Sequence, residues 1–173
     1  MNITARPSPN HNARPAGVSP DAVIIHGTAG KSDAGDVSWC CDPASKVSYH
    51  YIIGRDGRIY RLVDEDERAW HAGVSEWEGR SNCNDYAIGI GFSNDGEEPF
   101  THAQYVAGGC LLADITRRRK LASSRIVGHC QVSPGRKTDP WLHFWWSKLL
   151  GCMWAALDAP PERVTWVDGR RIP

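Results

Sequence analysis

Two short apolar runs, each closed by a histidine, constrain this chain more than any other feature. Ala22-Val23-Ile24-Ile25-His26 and Arg125-Ile126-Val127-Gly128-His129 are rich in β-branched residues and bounded by turn signals. Such runs read as buried strands. A strand end is a rigid mount for a ligand, and the loop beyond it leaves the side chain reachable. Around these runs the spacing predicts further strands at Val47–Ile53, Arg58–Val63 and Tyr86–Phe92, with a hairpin turn at Arg55-Asp56-Gly57. Thr101-His102-Ala103-Gln104 has the form of a capping box and opens a helix to about Arg119, weakened by Gly108 and Gly109. Leu142, Trp145, Trp146, Leu149, Leu150, Met153 and Leu157 recur at helical spacing and predict a C-terminal amphipathic helix. Residues 31–46 read as a loop with a short helix. Strands mixed with helices give an α/β (α+β) domain: one central mixed sheet flanked by helices.

The 173 residues are enough for one domain. The organisation expected is an extended arm over 1–20, a catalytic domain over 21–158 and a tail over 159–173. Formal net charge is zero, which offers nothing to nucleic acid or to an anionic membrane. The basic run Arg117-Arg118-Arg119-Lys120 is read as complementing a helix dipole. No stretch is long or apolar enough to span a bilayer. The first residues lack an apolar export segment, so synthesis in a cytoplasm without a signal peptide is expected. Six cysteines without a CxxC pair, in a chain of this size, are expected to be mostly reduced thiols.

Ten residues after His129 stands Asp139. Two neutral imidazoles and one carboxylate can make an open zinc site with a fourth position left for water. The spacing leaves a blander reading open, in which His26 and His129 are core histidines and Asp139 caps the next helix. Cys130 adjoins His129, but neighbours on a strand face opposite sides, which argues against both binding one ion. Cys40 and Cys41 stay open as ligands on chemistry alone.

Six blocks, in order, carry a resemblance. They are Ser8-Pro9-Asn10 with Arg14-Pro15; Val23 to His26; Val47-Ser48-Tyr49-His50-Tyr51-Ile52-Ile53 with Asp56-Gly57; Arg68-Ala69-Trp70-His71-Ala72-Gly73; Asn84 to Ile90; and Gly128-His129 followed by Ser133-Pro134-Gly135-Arg136-Lys137-Thr138-Asp139-Pro140. With these the chain resembles the amidase-2 family of N-acetylmuramoyl-L-alanine amidases. That family includes phage endolysins, cytosolic muropeptide-recycling amidases and peptidoglycan-recognition proteins. The resemblance implies a peptidoglycan-recognition-protein-like fold and a Zn2+ ion on His26, His129 and Asp139. It implies hydrolysis of the amide between N-acetylmuramic acid and L-alanine, with Lys137 facing the scissile carbonyl. Tyr49 matches a tyrosine of the phage members, and its hydroxyl could bond the attacking water or the developing oxyanion. Strict alternation would put Tyr49 on one face with Val47 and Tyr51, with His50 on the other as a structural residue. Trp70 and His71 are read as a pocket wall, and Arg136 as a rim residue that contacts substrate or only pairs with a neighbour.

One departure separates the branches. Recycling amidases carry a glutamate base after the Ile-Gly-Ile segment, and here that position is Gly91. The endolysin branch is therefore the main expectation: cell-wall lysis by a monomer that reaches peptidoglycan through a membrane pore, with no nucleic acid and no stable membrane association. The alternatives are a recycling amidase acting on soluble anhydro-muropeptides, which the Trp77-Glu78-Gly79-Arg80 segment resembles, and a peptidoglycan-binding module without catalysis.

Overall fold

The computed structural model describes residues 1–159 and 165–166. In chain order the elements are β1 (Asn2–Ala5), β2 (His11–Ala13), β3 (Ala22–Gly27), α1 (Asp33–Cys41), β4 (Tyr51–Ile53), β5 (Ile59–Arg61), β6 (Glu67–Ala69), β7 (Glu76–Trp77), β8 (Arg80–Ser81), β9 (Ala87–Phe92), α2 (His102–Arg119), β10 (Ile126–Gly128), α3 (His129–Val132), α4 (Trp146–Asp158) and β11 (Thr165–Trp166). Seven strands form one mixed sheet in the order β10-β3-β9-β4-β5-β1-β11. The pairs from β10 to β4 are parallel, and β5 runs antiparallel to β4. Every residue of β3 and β9 is buried, as expected of parallel strands covered on both faces.

The two faces differ. Val23, Ile25, Ile88, Ile90 and Phe92 pack on Leu111, Leu112 and Ile115 of α2 and on Leu149 and Met153 of α4, forming the main core. The capping box of α2 is present, with Gln104 Nε2 also donating to the Ser93 carbonyl at 2.8 Å. Gly108 and Gly109 are where α2 touches its neighbours. A Cβ at Gly108 would lie 2.6 Å from the Phe92 ring, and one at Gly109 would lie 2.5 Å from Cys152 Cβ on α4. Close approach accounts for both residues despite their helix cost of about 1 kcal/mol each. The opposite sheet face carries Ile24, His26, Ile52, Gly89 and Gly91, and is covered by α1 and loops.

Several expectations need correction. The arm over 1–20 is extended, but it belongs to the domain: β1 pairs with β5 in the main sheet and β2 with β6. Arg14 fixes it by donating to the carbonyls of Glu65, Asn84, Asp85 and Ala87 at 2.9–3.1 Å. Apart from Ala159 and the β11 pairing with β1, the expected tail lies outside the described residues. The C-terminal helix begins at Trp146 rather than near Leu142, because Trp141 turns the chain with a φ of 66° and Leu142 is fully exposed. Arg118 and Arg119 do more than complement a dipole. They clamp buried Glu65, which also accepts from the Tyr51 hydroxyl at 2.9 Å. All six cysteines are free thiols, as expected.

The strand expected at Val47–Ile53 starts only at Tyr51. The alternation breaks at His50, opposite a doubling of Leu62 and Val63, both of which donate to its carbonyl. Tyr51 therefore joins the helix-side core, while Tyr49 packs with Val47 and Ile52 on the other face. His50 is structural, as expected. Its Nδ1 accepts from Gly89 N at 2.9 Å and its Nε2 donates to the Glu67 carbonyl at 3.1 Å.

Burial pushes the His50 imidazole down to about 3 from an ordinary 6.5. The unfolded chain thus binds a proton below about pH 6.5 that the folded chain refuses, and stability falls as pH drops from there. Burial works to raise the Glu65 carboxyl, but Arg118, Tyr51 and Arg119 outweigh it and hold it at about 2. Its contribution is present above its unfolded value of 4.5 and is lost as pH falls towards 2. The melting temperature of chelator-treated protein should therefore fall continuously from pH 7 to pH 4, as followed by circular dichroism. A flat profile down to pH 5 would contradict a neutral, buried His50.

Candidate metal centre and cleft

Gly128 of β10 pairs with Ile25 of β3, so the next residues, His129 and His26, come side by side at the sheet's end. Their ring centroids are 4.4 Å apart. His129 is the first residue of α3 rather than a strand residue, and this turn takes Cys130 out of the cluster. Instead the Cys130 amide donates to the Asp139 carbonyl at 2.9 Å, which holds the 133–140 loop against α3. Among the described residues, His26, His129 and Asp139 are the one group of three or more His, Cys, Asp or Glu able to share an ion, with ligand atoms within 4.8 Å of one another. Cys40 and Cys41 are not in it.

Hydrogen placement makes this group unusual. His129 Nε2 lies 3.1 Å from the Ala72 carbonyl, which can only accept, so Nε2 carries the hydrogen. Its other nitrogen, Nδ1, faces both Asp139 oxygens, each 3.1 Å away. His26 Nδ1 is buried without a hydrogen-bond partner and lies 3.4 Å from Asp139 Oδ2. Burial, ahead of the neighbouring His129, depresses His26 to about 4, so it is neutral near pH 7. Burial would raise the Asp139 carboxyl, but the imidazoles of His129 and His26 hold it below the usual carboxylate range. A carboxylate set against the Nδ1 atoms of two imidazoles is a donor set for a cation once both nitrogens are bare. Zinc bonds of about 2.0–2.1 Å at tetrahedral angles put ligand atoms roughly 3.3–3.4 Å apart, close to these spacings.

The group opens into a cleft of about 460 Å³. Lys137 is exposed on its rim, two residues before Asp139. Tyr49 lies at the floor, its ring 5.1 Å from that of His26. Burial pushes its phenol well above the usual range, so it is a neutral hydrogen-bond donor. Trp70 forms a wall, fixed by its Nε1 donating to Asn12 Oδ1 at 2.6 Å. His71 also lines the cleft but is almost wholly buried, and its Nδ1 meets His26 Nε2 at 3.1 Å. Burial and the adjacent imidazoles keep it neutral. Arg136 lines the cleft. Its Nη2 is committed to the carbonyls of Ala72 and Val74 and to Ser133 Oγ at 2.6–2.8 Å, so it holds the 72–74 loop in place.

Sequence reasoning missed three contributors. Asn84 Oδ1 accepts from the amides of His71 and Ala72 and shapes the cleft wall. Its place in the Asn84–Ile90 block was the available signal. Lys46 and Trp141 also line the cleft. Nothing local in the sequence marks either. Trp141 reaches the cleft by lying over Gly27, where a Cβ would stand 2.0 Å from its ring.

Comparison with known proteins agrees with this geometry. Residues 16–141 match the Amidase_2 family, described as N-acetylmuramoyl-L-alanine amidase. The 1,6-anhydro-N-acetylmuramyl-L-alanine amidase AmpD of Haemophilus influenzae is 48% identical over 106 residues, 61% of this chain and 58% of that protein. AmpD of Citrobacter freundii is 33% identical over 160 residues, covering 83% and 86%. Among solved structures, the complex of Escherichia coli AmiD with anhydro-N-acetylmuramic acid-L-Ala-D-gamma-Glu-L-Lys superposes with a TM-score of 0.71. It is 32% identical and covers 80% of this chain and 60% of that one.

The site depends on the bare face of β9. A Cβ at Gly89 would stand 2.4–2.7 Å from three His71 ring atoms. At Gly91 the nearest atoms, on Tyr49 and Thr28, would be 3.1–3.3 Å away. Gly89→Ala should therefore destabilise by about 1–3 kcal/mol, in the range of core overpacking, and Gly91→Ala by less. Urea unfolding of the two variants checks the order, and equal costs would contradict the packing described.

Proposed function

Because the chain belongs to the amidase-2 family of N-acetylmuramoyl-L-alanine amidases, we propose that it is a zinc-dependent hydrolase of the N-acetylmuramoyl–L-alanine amide whose preferred substrates are soluble anhydro-muropeptides. The carrying observation is the convergence of two Nδ1 atoms and one carboxylate at the floor of an open cleft. The substrate class is supported by the relatives, which are named for 1,6-anhydro-N-acetylmuramyl-L-alanine or were solved with an anhydromuramyl peptide.

His26, His129 and Asp139 would hold the zinc. Bound there, zinc supplies Lewis acidity, polarising a carbonyl oxygen and making water nucleophilic near neutral pH. The chain's own groups do the rest. Lys137 brings a positive charge to the rim beside Asp139, where it stabilises negative charge growing on the carbonyl oxygen. Tyr49 donates a hydrogen bond from its neutral phenol but does not take a proton as a base. Gly91 offers no carboxylate. Trp70 gives the sugar or stem an aromatic wall, while Arg136 keeps the 72–74 loop in shape beneath it.

One observation favours the endolysin reading: the Tyr49 ring lies over Gly91, the tyrosine-without-glutamate pattern that resembles phage members. The two readings differ in substrate. Purified protein should release L-alanine-terminated peptide from soluble anhydro-muropeptide at least about tenfold faster than from intact sacculi, read by mass spectrometry. Faster release from sacculi would favour the lytic reading, and a peptide with another N-terminus would remove the amidase assignment. Lys137→Ala should retain one zinc per chain and lose about 10²-fold or more in turnover, the scale of removing an oxyanion-stabilising group. Unchanged turnover would take Lys137 out of the reaction.

A further inference from the structure

His71 is a buried imidazole for which the hydrolysis described above has no use. Three elements fix it. Asn84 Oδ1 accepts from its own amide and the next at 3.0 and 2.7 Å. Gly89 leaves room for its ring against β9. His26 meets it edge-on, with rings 5.1 Å apart at 82° and Nε2 to Nδ1 at 3.1 Å. Its other nitrogen, Nε2, is buried without a hydrogen-bond partner.

The hydrogen between the two rings has two possible places. If His71 Nδ1 carries it, His26 Nε2 accepts, and a neutral His26 must keep its own hydrogen on Nδ1, where it points at Asp139 and closes the ligand position. If His26 Nε2 carries it, His71 Nδ1 accepts, His26 Nδ1 is bare, and the hydrogen of His71 moves to its lone Nε2. Only the second arrangement can ligate. An outer partner that accepts from a ligating imidazole fixes its tautomer and raises its basicity.

We propose that His71 is a positioning residue for the metal centre: it accepts the Nε2 hydrogen of His26 and so keeps Nδ1 bare and aimed at the ion. This rests on the zinc reading above. It gives Gly89, His71 and Asn84 one shared task, which is to hold an acceptor at a single point behind His26. Ala72 has the matching place behind His129, where its carbonyl accepts from Nε2. Each imidazole of the pair thus has an acceptor at its back and its Nδ1 turned to Asp139.

Zinc affinity, measured by competition with a chromophoric chelator, tests the role. His71→Leu should bind zinc about 10–100-fold more weakly than the natural chain, the range for losing such a partner. His71→Asn, whose amide oxygen can stand where Nδ1 stands, should recover most of that loss. Equal affinity in the leucine variant and the natural chain overturns the proposal while leaving the zinc site intact. Natural protein that takes up no zinc overturns the zinc reading and this inference with it. Should the leucine variant not fold, long-range ¹⁵N–¹H spectra of the zinc-loaded natural protein decide. Hydrogen on His71 Nε2 supports the role, and hydrogen on Nδ1 overturns it.

Discussion

The absence of side chains along one face of β9 shapes the whole site. Ile88, Ile90 and Phe92 fill the helix side of that strand, while Ala87, Gly89 and Gly91 leave the other side almost flat. Rings can therefore lie directly on the sheet: His71 over Gly89, Tyr49 over Gly91. The same strand is hydrogen-bonded to β3 on one side and to β4 on the other, so it sets the level of His26 and of the segment that delivers Tyr49. Glycine's entropic cost at these positions is offset by the close packing of two aromatic rings, tightest over Gly89.

Around that surface, orientation is imposed by backbone carbonyls and one amide. Ala72 O fixes the tautomer of His129, Asn84 fixes the loop that carries Ala72, and Arg136 ties the far side of the same loop to α3. Arg14 ties the N-terminal segment to Glu65 and to the 84–87 stretch, so residues far apart in sequence share one rigid block. The metal-binding group itself sets two Nδ1 atoms against one carboxylate. The stiff scaffold around it keeps these three side chains converged.

Much of this was legible from residues alone. Apolar β-branched runs gave β3, β9 and β10, and the capping box gave α2 with its end at Arg119. The ligand trio was recoverable only through the order of the six blocks, since the spacing of His26, His129 and Asp139 allows a core reading equally well. Periodicity failed where the chain slips. Alternation over Val47–Ile53 put Tyr51 on the face of Tyr49 because the break at His50, opposite the doubled Leu62 and Val63, leaves no mark in the hydrophobic pattern. Helical spacing from Leu142 misled because Leu142 and Trp145 are apolar yet largely exposed. The pairing of Arg118 and Arg119 with Glu65, more than fifty residues away, is invisible to any local rule.

The tyrosine and the glycine on the cleft floor are best understood as one choice. A ring at position 49 takes up the space over residue 91, where even a Cβ would stand 3.1 Å from it. Where the resemblance to recycling amidases would place a base at residue 91, the chain has a glycine with the neutral donor Tyr49 lying over it. That difference concerns how charge and protons are handled at the scissile bond. Lys46, Trp70 and Trp141 line other parts of the cleft, away from that pair. A tyrosine-over-glycine floor is thus compatible with the soluble substrates proposed above, because floor and walls are separate parts of the cleft.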